Sequence, residues 1–158
     1  MSKKQNLYLG KAGQFLVMSE LLFRGWNVAI PEVDVGDDIF VVRDANGQLV
    51  RVQVKTATGK LYQNIVKAQL SIGLPQLQTP VEPLLVYAFV VRIEDHWHKL
   101  TIIRQDKLLE EYQFFEIGSP VGGKLILSFR LKENEIMCGK RDFSNYLNNF
   151  EDFPVILQ

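Results

Sequence analysis

A carboxylate, an amide and an ammonium, those of Asp38, Gln53 and Lys55, fall within one short stretch whose residue pattern predicts a β-hairpin. Ile39-Phe40-Val41-Val42 is an apolar run, Asn46-Gly47 is a pair favoured in tight turns, and Leu49 to Thr56 alternates apolar and polar residues as a strand should. With Asn46-Gly47 as the two loop residues, Ala45 pairs with Gln48 and, counting outward, Asp38 stands directly across from Lys55. The Cβ atoms of such a pair are ~4.5–5.5 Å apart. Gln53 is two residues from Lys55 and shares its face, while Val52 and Val54 point to the opposite side, into the core. An ammonium at that distance keeps the carboxylate ionised. The hairpin end therefore gathers an anion, a neutral oxygen donor and a cation at one place. A one-residue slip at the turn would send Lys55 to the other face and dissolve the cluster.

Other elements must hold this hairpin. Residues 7 to 24 predict a helix, with Phe15, Met18, Leu21, Leu22 and Trp26 at three- and four-residue spacings and Gly25 as its stop. Stepping ~100° per residue puts Gln14 in the middle of that apolar face, where a buried amide needs a partner. Glu20 falls beside Arg24 on the outer side and reads as a surface residue. Val66, Ala68, Leu70 and Ile72 alternate with Lys67, Gln69 and Ser71, which predicts a third strand. The stretch from 73 to 83, with Gly73, Pro75, Pro80 and Pro83, is loop with at most one helical turn. Leu84 to Ile93 is apolar nearly throughout, the pattern of a strand covered on both faces. Leu100 to Arg104 continues the sheet, 106 to 115 is a short helix behind an Asp106 cap, and Leu125 to Leu131 is another strand. Phe143, Tyr146, Leu147 and Phe150 share one helical face near the end.

Composition sets the frame. A chain of 158 residues has the usual size of one domain, so residues 1–158 are expected to form a single unit. Its 47% hydrophobic and 23% charged residues are those of a folded globular chain. Eighteen Lys+Arg balance eighteen Asp+Glu, so no global basic field advertises nucleic-acid binding; only the local distribution of charge can speak to that. The lone cysteine, Cys138, has no partner for an internal disulfide, and the first twenty residues lack a secretory pattern, so a cytoplasmic location is expected. The apolar run Leu84 to Val91 is far short of the ~20 residues that cross a bilayer as a helix.

The order helix, glycine, acidic turn, Asp-led apolar strand, hairpin and Gln-Val-Lys resembles the PD-(D/E)XK nuclease superfamily, which includes archaeal Holliday-junction resolvases, restriction endonucleases and some bacterial homing endonucleases. The phrases that carry the resemblance are Gly10-Lys11-Ala12-Gly13-Gln14, Arg24-Gly25-Trp26, Asp34-Val35-Gly36-Asp37-Asp38-Ile39 and Val52-Gln53-Val54-Lys55-Thr56, all within roughly the first third of the chain. The resemblance implies an α/β, restriction-endonuclease-like mixed sheet flanked by helices. It implies an endonuclease that hydrolyses DNA phosphodiesters with Mg²⁺, for which Mn²⁺ would substitute. Asp38 would be the first metal ligand, Gln53 would stand where Asp or Glu is usual, Val54 would lend its carbonyl, and Lys55 would be the catalytic lysine. Gln14 would occupy the place of an acid on the first helix. Two glutamines at acidic positions leave fewer anions for a hard cation, a deficit that Asp34 or Asp37 could supply. Cutting both strands of DNA needs two sites, so a homodimer or higher symmetric oligomer is expected. The alternative is a catalytically weakened module of the same fold that binds DNA or a protein partner.

Each of these residues also has a plainer reading: Asp37 and Asp38 beside Gly36 would solvate a turn, and Lys55 would be a strand-end charge. His96-Trp97-His98 has too few ligands for zinc and reads as a turn between strands. Cys138 reads as a buried thiol, and Gly122-Gly123-Lys124 lacks the remainder of a phosphate-binding loop.

Overall fold

The computed structural model describes residues 2–33, 36–43, 47–79 and 82–153. In chain order the elements are α1 (Lys3–Phe23), β1 (Asn27–Ala29), β2 (Ile39–Arg43), β3 (Gln48–Thr58), β4 (Lys60–Tyr62), β5 (Ile65–Gly73) and α2 (Leu74–Gln78). After these come β6 (Leu85–Ile93), β7 (His96–Trp97), β8 (Thr101–Arg104), α3 (Gln105–Phe115), β9 (Ser119–Val121), β10 (Lys124–Leu131), β11 (Ile136–Cys138) and β12 (Arg141–Asp142). The fold is α/β, as expected, with a mixed sheet flanked by helices. Its strands run in the order β1-β2-β3-β6-β7, with β8 on another stretch of β6; β3 and β6 are parallel and the other pairs antiparallel. The chain also builds a second, antiparallel sheet, β12-β11-β10-β5-β4, with β9 on β10. A parallel pair needs a crossover connection. Here β4, β5 and α2 form it, so the crossover is itself part of the second sheet.

Strand β6 is buried on both faces, and its alternation sorts the core into two clusters. Leu85, Tyr87, Phe89, Val91 and Ile93 pack toward the second sheet and α3, against Leu70, Ile72, Leu108, Leu127 and Phe129. Val86, Ala88 and Val90 pack with Val52 and Val54 of β3 under α1, against Val17 and Leu21.

Helix α1 begins earlier than its apolar pattern indicated, because Ser2 and Gln5 form a capping box that satisfies free N–H groups at its start. It ends where expected, with Gly25 at φ +88°. The buried stripe is Gly13, Gln14, Val17 and Leu21, whereas Phe15 and Leu22, expected inside, are exposed. Gly13 is the cause of the rotation: a Cβ there would land on Oγ1 of Thr56 in β3, so this side of the helix comes closest to the sheet. Glu20 forms the expected i,i+4 pair with Arg24 on the outside.

Two expectations fail for identifiable reasons. Asp106 is not the cap of α3; Arg104 occupies that position, and Asp106 sits in the first turn, paired with Arg104 and favourable to the helix dipole. The final aromatic run does not form an α-helix, and only Ser144–Tyr146 make a 3-10 turn. Phe143 belongs to the core between the sheets while Phe150 packs beside Trp26 under α1, so a single helical face cannot serve both. Asn148, at φ +48°, turns the chain between them and exchanges hydrogen bonds with the Leu100 backbone. Among the described residues no helix is long and apolar enough to cross a membrane.

Replacing Gly13 by alanine should destabilise the fold by about 1 kcal/mol or more, because the overlap with Thr56 outweighs the ~1 kcal/mol by which alanine favours a helix. Urea unfolding measures this, and a variant as stable as the parent would show that α1 can back away freely. Cys138 is fully buried, and burial together with the Glu111 charge pushes its thiol up to about 12. Iodoacetamide at pH 8 should therefore leave the native thiol unmodified and alkylate it in denaturant, where its pKa returns to about 8.5. The same shift makes stability fall as pH rises from about 8.5 toward about 12, since only the unfolded thiol ionises there.

Candidate functional site

The site is built where β2 parts from β3. Their ladder runs from Arg43 opposite Gln48 to Ile39 opposite Val52, enclosing residues 44–47 in place of the two-residue Asn46-Gly47 loop. Residues 44–46 lie outside the described residues, and Gly47 takes φ +65°. The register is thus shifted by two from the expected one, and Asp38 is not directly across from Lys55. An even shift keeps every side chain on its face, so the expected sharing of a face by Gln53 and Lys55 survives while the cross-strand pairing does not.

Asp38 instead brackets Gln53. Its N–H donates to the Val52 carbonyl at 2.9 Å, and its Oδ2 accepts the Val54 N–H at 2.7 Å. The carboxylate takes over a rung that the departing strand no longer supplies. On the other edge, β3 pairs with β6 from Arg51 to Thr58, so Gln53 neighbours Tyr87 and Lys55 neighbours Phe89. Lys55 is half-buried.

Gln14 is 7% exposed, as its place on the helix face indicated, and it has found its partners. Its Nε2 donates to the Asp38 carbonyl at 2.5 Å, and its Oε1 accepts the Lys11 ammonium at 2.7 Å. Gln14 therefore addresses the backbone of Asp38. Gln53, also 7% exposed, differs: its buried Oε1 has no hydrogen-bond partner. A buried amide oxygen without a donor is uncommon enough to need a reason.

Asp37, 3% exposed, is committed elsewhere. Its Oδ2 accepts Nε of Arg51 at 2.8 Å, and its Oδ1 is buried without a partner. Asp34, the other acid considered as a source of charge, lies outside the described residues. Among the described residues no three His, Cys, Asp or Glu side chains cluster as a metal site would require, and His96 and His98 do not change that. His98 Nε2 donates to the Lys132 carbonyl instead. Two residues at the fork carry oxygens of the kind a hard cation takes, Asp38 with its carboxylate and Gln53 with its unpartnered Oε1 on the adjoining strand. Oxygen ligands of this kind suit a hard divalent cation, with less charge than a site of several carboxylates provides.

Three residues behind the site gave no sequence signal. The Tyr87 hydroxyl, held protonated by burial, donates to Gln76 Oε1 at 3.3 Å, and Gln76 Nε2 donates to the Gly36 carbonyl at 2.9 Å. Gln105 Nε2 donates to the carbonyls of Gln76 and Thr79, locking α2 in place. A Cβ at Gly36 would come within 2.7 Å of Gln76 Nε2, which explains the glycine in the acidic phrase. Only long-range pairing brings these groups together.

No family model matches the chain, and no curated protein matches it. Among solved structures it is similar to a bacterial homing endonuclease, I-Ssp6803I, with a TM-score of 0.54 and 17% sequence identity over 92% of this chain and 86% of that one. At that identity the likeness is one of fold, and it extends over most of the chain rather than over the motif-bearing third alone: this chain has a fold similar to that of this homing endonuclease.

Proposed function

We propose that this chain is a metal-dependent DNA endonuclease of the PD-(D/E)XK type, with Asp38, Gln53 and Lys55 as its working residues. The observation that carries the reading is the buried Gln53 oxygen left without a donor, on the residue next to the Val54 whose N–H the Asp38 carboxylate accepts. Mg²⁺, or Mn²⁺ in its place, would be held by Asp38, Gln53 and the Val54 carbonyl and would polarise a DNA phosphate. Lys55 orients the attacking water and places a cation beside the charge that develops on the phosphate. Gln14 holds the Asp38 backbone, and Val54 N–H fixes one carboxylate oxygen, so the anion is presented in one orientation. Asp37 is paired with Arg51 through one carboxylate oxygen, Oδ2. Two such sites, one for each strand of DNA, require a homodimer or a higher symmetric oligomer.

A second reading has its own observation, the lack of a three-acid cluster among the described residues. On it, the chain is a module of nuclease fold that binds DNA or a protein partner without efficient cleavage. Nicking assays on duplex and four-way-junction DNA with Mg²⁺ and Mn²⁺, beside calorimetric metal titration, separate the two. Metal uptake with nicking supports the endonuclease; no uptake of either ion favours the binding module.

Lys55→Ala should abolish metal-dependent nicking and leave the thermal midpoint nearly unchanged; a variant that still cuts removes Lys55 from the chemistry. Gln53→Glu should tighten Mn²⁺ binding by roughly tenfold, since it adds a hard anionic ligand. Without metal the same variant should melt lower, because the buried carboxylate is then unpaired. Unchanged Mn²⁺ affinity would show that the Gln53 oxygen does not face the metal.

A further inference from the structure

The outer face of the second sheet carries a charge pattern that the folded chain alone does not explain. In the registers of that sheet, Lys60 on β4 is opposite Lys67 on β5, and Lys67 is opposite Arg130 on β10. Three cations therefore occupy one row across three adjacent strands, all exposed. Like charges directly opposite one another weaken a sheet. The chain as a whole has as many acids as bases, so the row is no overflow of a basic composition. Elsewhere acids are placed beside lysines, as in Lys107–Glu110 and Lys132–Glu135. None pairs with Lys60, Lys67 or Arg130 among the described residues. Arg130 donates to the Gly139 carbonyl at 2.8 Å and Lys67 lies over the Tyr62 ring at 4.5 Å; both interactions steady the arms without cancelling their charge.

The row lines an open groove of about 1120 Å³ whose wall includes Ala57, two residues beyond Lys55 on the same face of β3, and whose floor includes Gln69 and Ser128, opposite each other in the next row. Adjacent strands are ~4.8 Å apart, so the three cations span about 10 Å, close to three nucleotides at ~3.4 Å of rise each. Amide and hydroxyl groups beside such a row are the types that meet base edges, and the major groove admits a two-stranded ribbon.

We propose that this face is a duplex-DNA-binding surface on which Lys60, Lys67 and Arg130 take phosphates and lead the duplex along the groove toward Lys55. The choice of DNA among polyanions rests on the endonuclease reading; the charge row does not.

The test is binding of the full chain to fluorescent duplex DNA in EDTA, by anisotropy across a salt series, so that neither metal nor cleavage enters. The triple variant Lys60→Gln/Lys67→Gln/Arg130→Gln should bind every duplex sequence at least tenfold more weakly near 0.1 M salt. Its slope of log K against log salt should be shallower by roughly 2 to 3, about 0.9 for each phosphate that is no longer neutralised. Its thermal midpoint should hold or rise, because mutual repulsion is removed. Lys107→Gln/Lys132→Gln, on paired lysines, should change neither affinity nor slope. Should the triple variant not fold, Lys60→Gln and Arg130→Gln taken singly should each flatten the slope by about 0.9. An unchanged slope, no binding by the parent chain, or tighter binding of duplex RNA than of DNA would overturn the proposal. A parent chain that binds with the expected slope but never nicks would sink the catalytic reading and leave this surface standing.

Discussion

The hydrogen bond from the Val54 N–H to the Asp38 carboxylate governs how this structure is joined. At that point β2 turns away from β3 while β3 continues beside β6, and a buried N–H would otherwise be left without a partner, at a cost of about 1–3 kcal/mol. A side chain closes the gap, through a bond of the stronger, charge-assisted kind. The same carboxylate is thereby immobilised, since the Asp38 backbone is held by the Val52 carbonyl on one side and by Gln14 of α1 on the other. Structural need and chemical opportunity coincide in one residue.

Charge is partitioned along β3 in a way that the neutral sum over the chain conceals. Acids gather in the segment leading into β2, where Asp37 is neutralised by Arg51 and Asp38 is held at the fork. Cations gather across the second sheet beyond the other end of β3, in a row without acids. One strand links an anionic pole to a cationic one, and Lys55 lies between them.

Much of this was legible in the sequence because it is local. The alternation in β3 and β5, the apolar run of β6 and the glycine stop of α1 all follow from short-range pattern, and Gln14 on the buried face followed from helical spacing alone. The hairpin register was not legible, because the length of a loop depends on more than its Asn-Gly pair, although parity preserved the faces. The C-terminal aromatics misled for a different reason: Phe143 and Phe150 have helical spacing but serve different cores. The interactions that decide the site, Gln76 with Tyr87 and the unpartnered state of Gln53, depend on strands and helices brought together from separate parts of the chain. The row of Lys60, Lys67 and Arg130 is invisible for the same reason, since only the pairing of β5 with β10 aligns it.

The crossover between β3 and β6 also sets the order of events during folding. The β2–β3 hairpin closes a loop of four residues, so its rungs, the backbone bond of Asp38 with Val52 and the bond from the Val54 N–H to the Asp38 carboxylate can form within microseconds. The parallel pairing of Val52 with Val86 must wait until the intervening chain, including β4, β5 and α2, has met the entropy cost of a much longer closure. Gln53 is covered only when Tyr87 arrives beside it. The nascent site is therefore a wet, half-formed hairpin first and a desolvated one last.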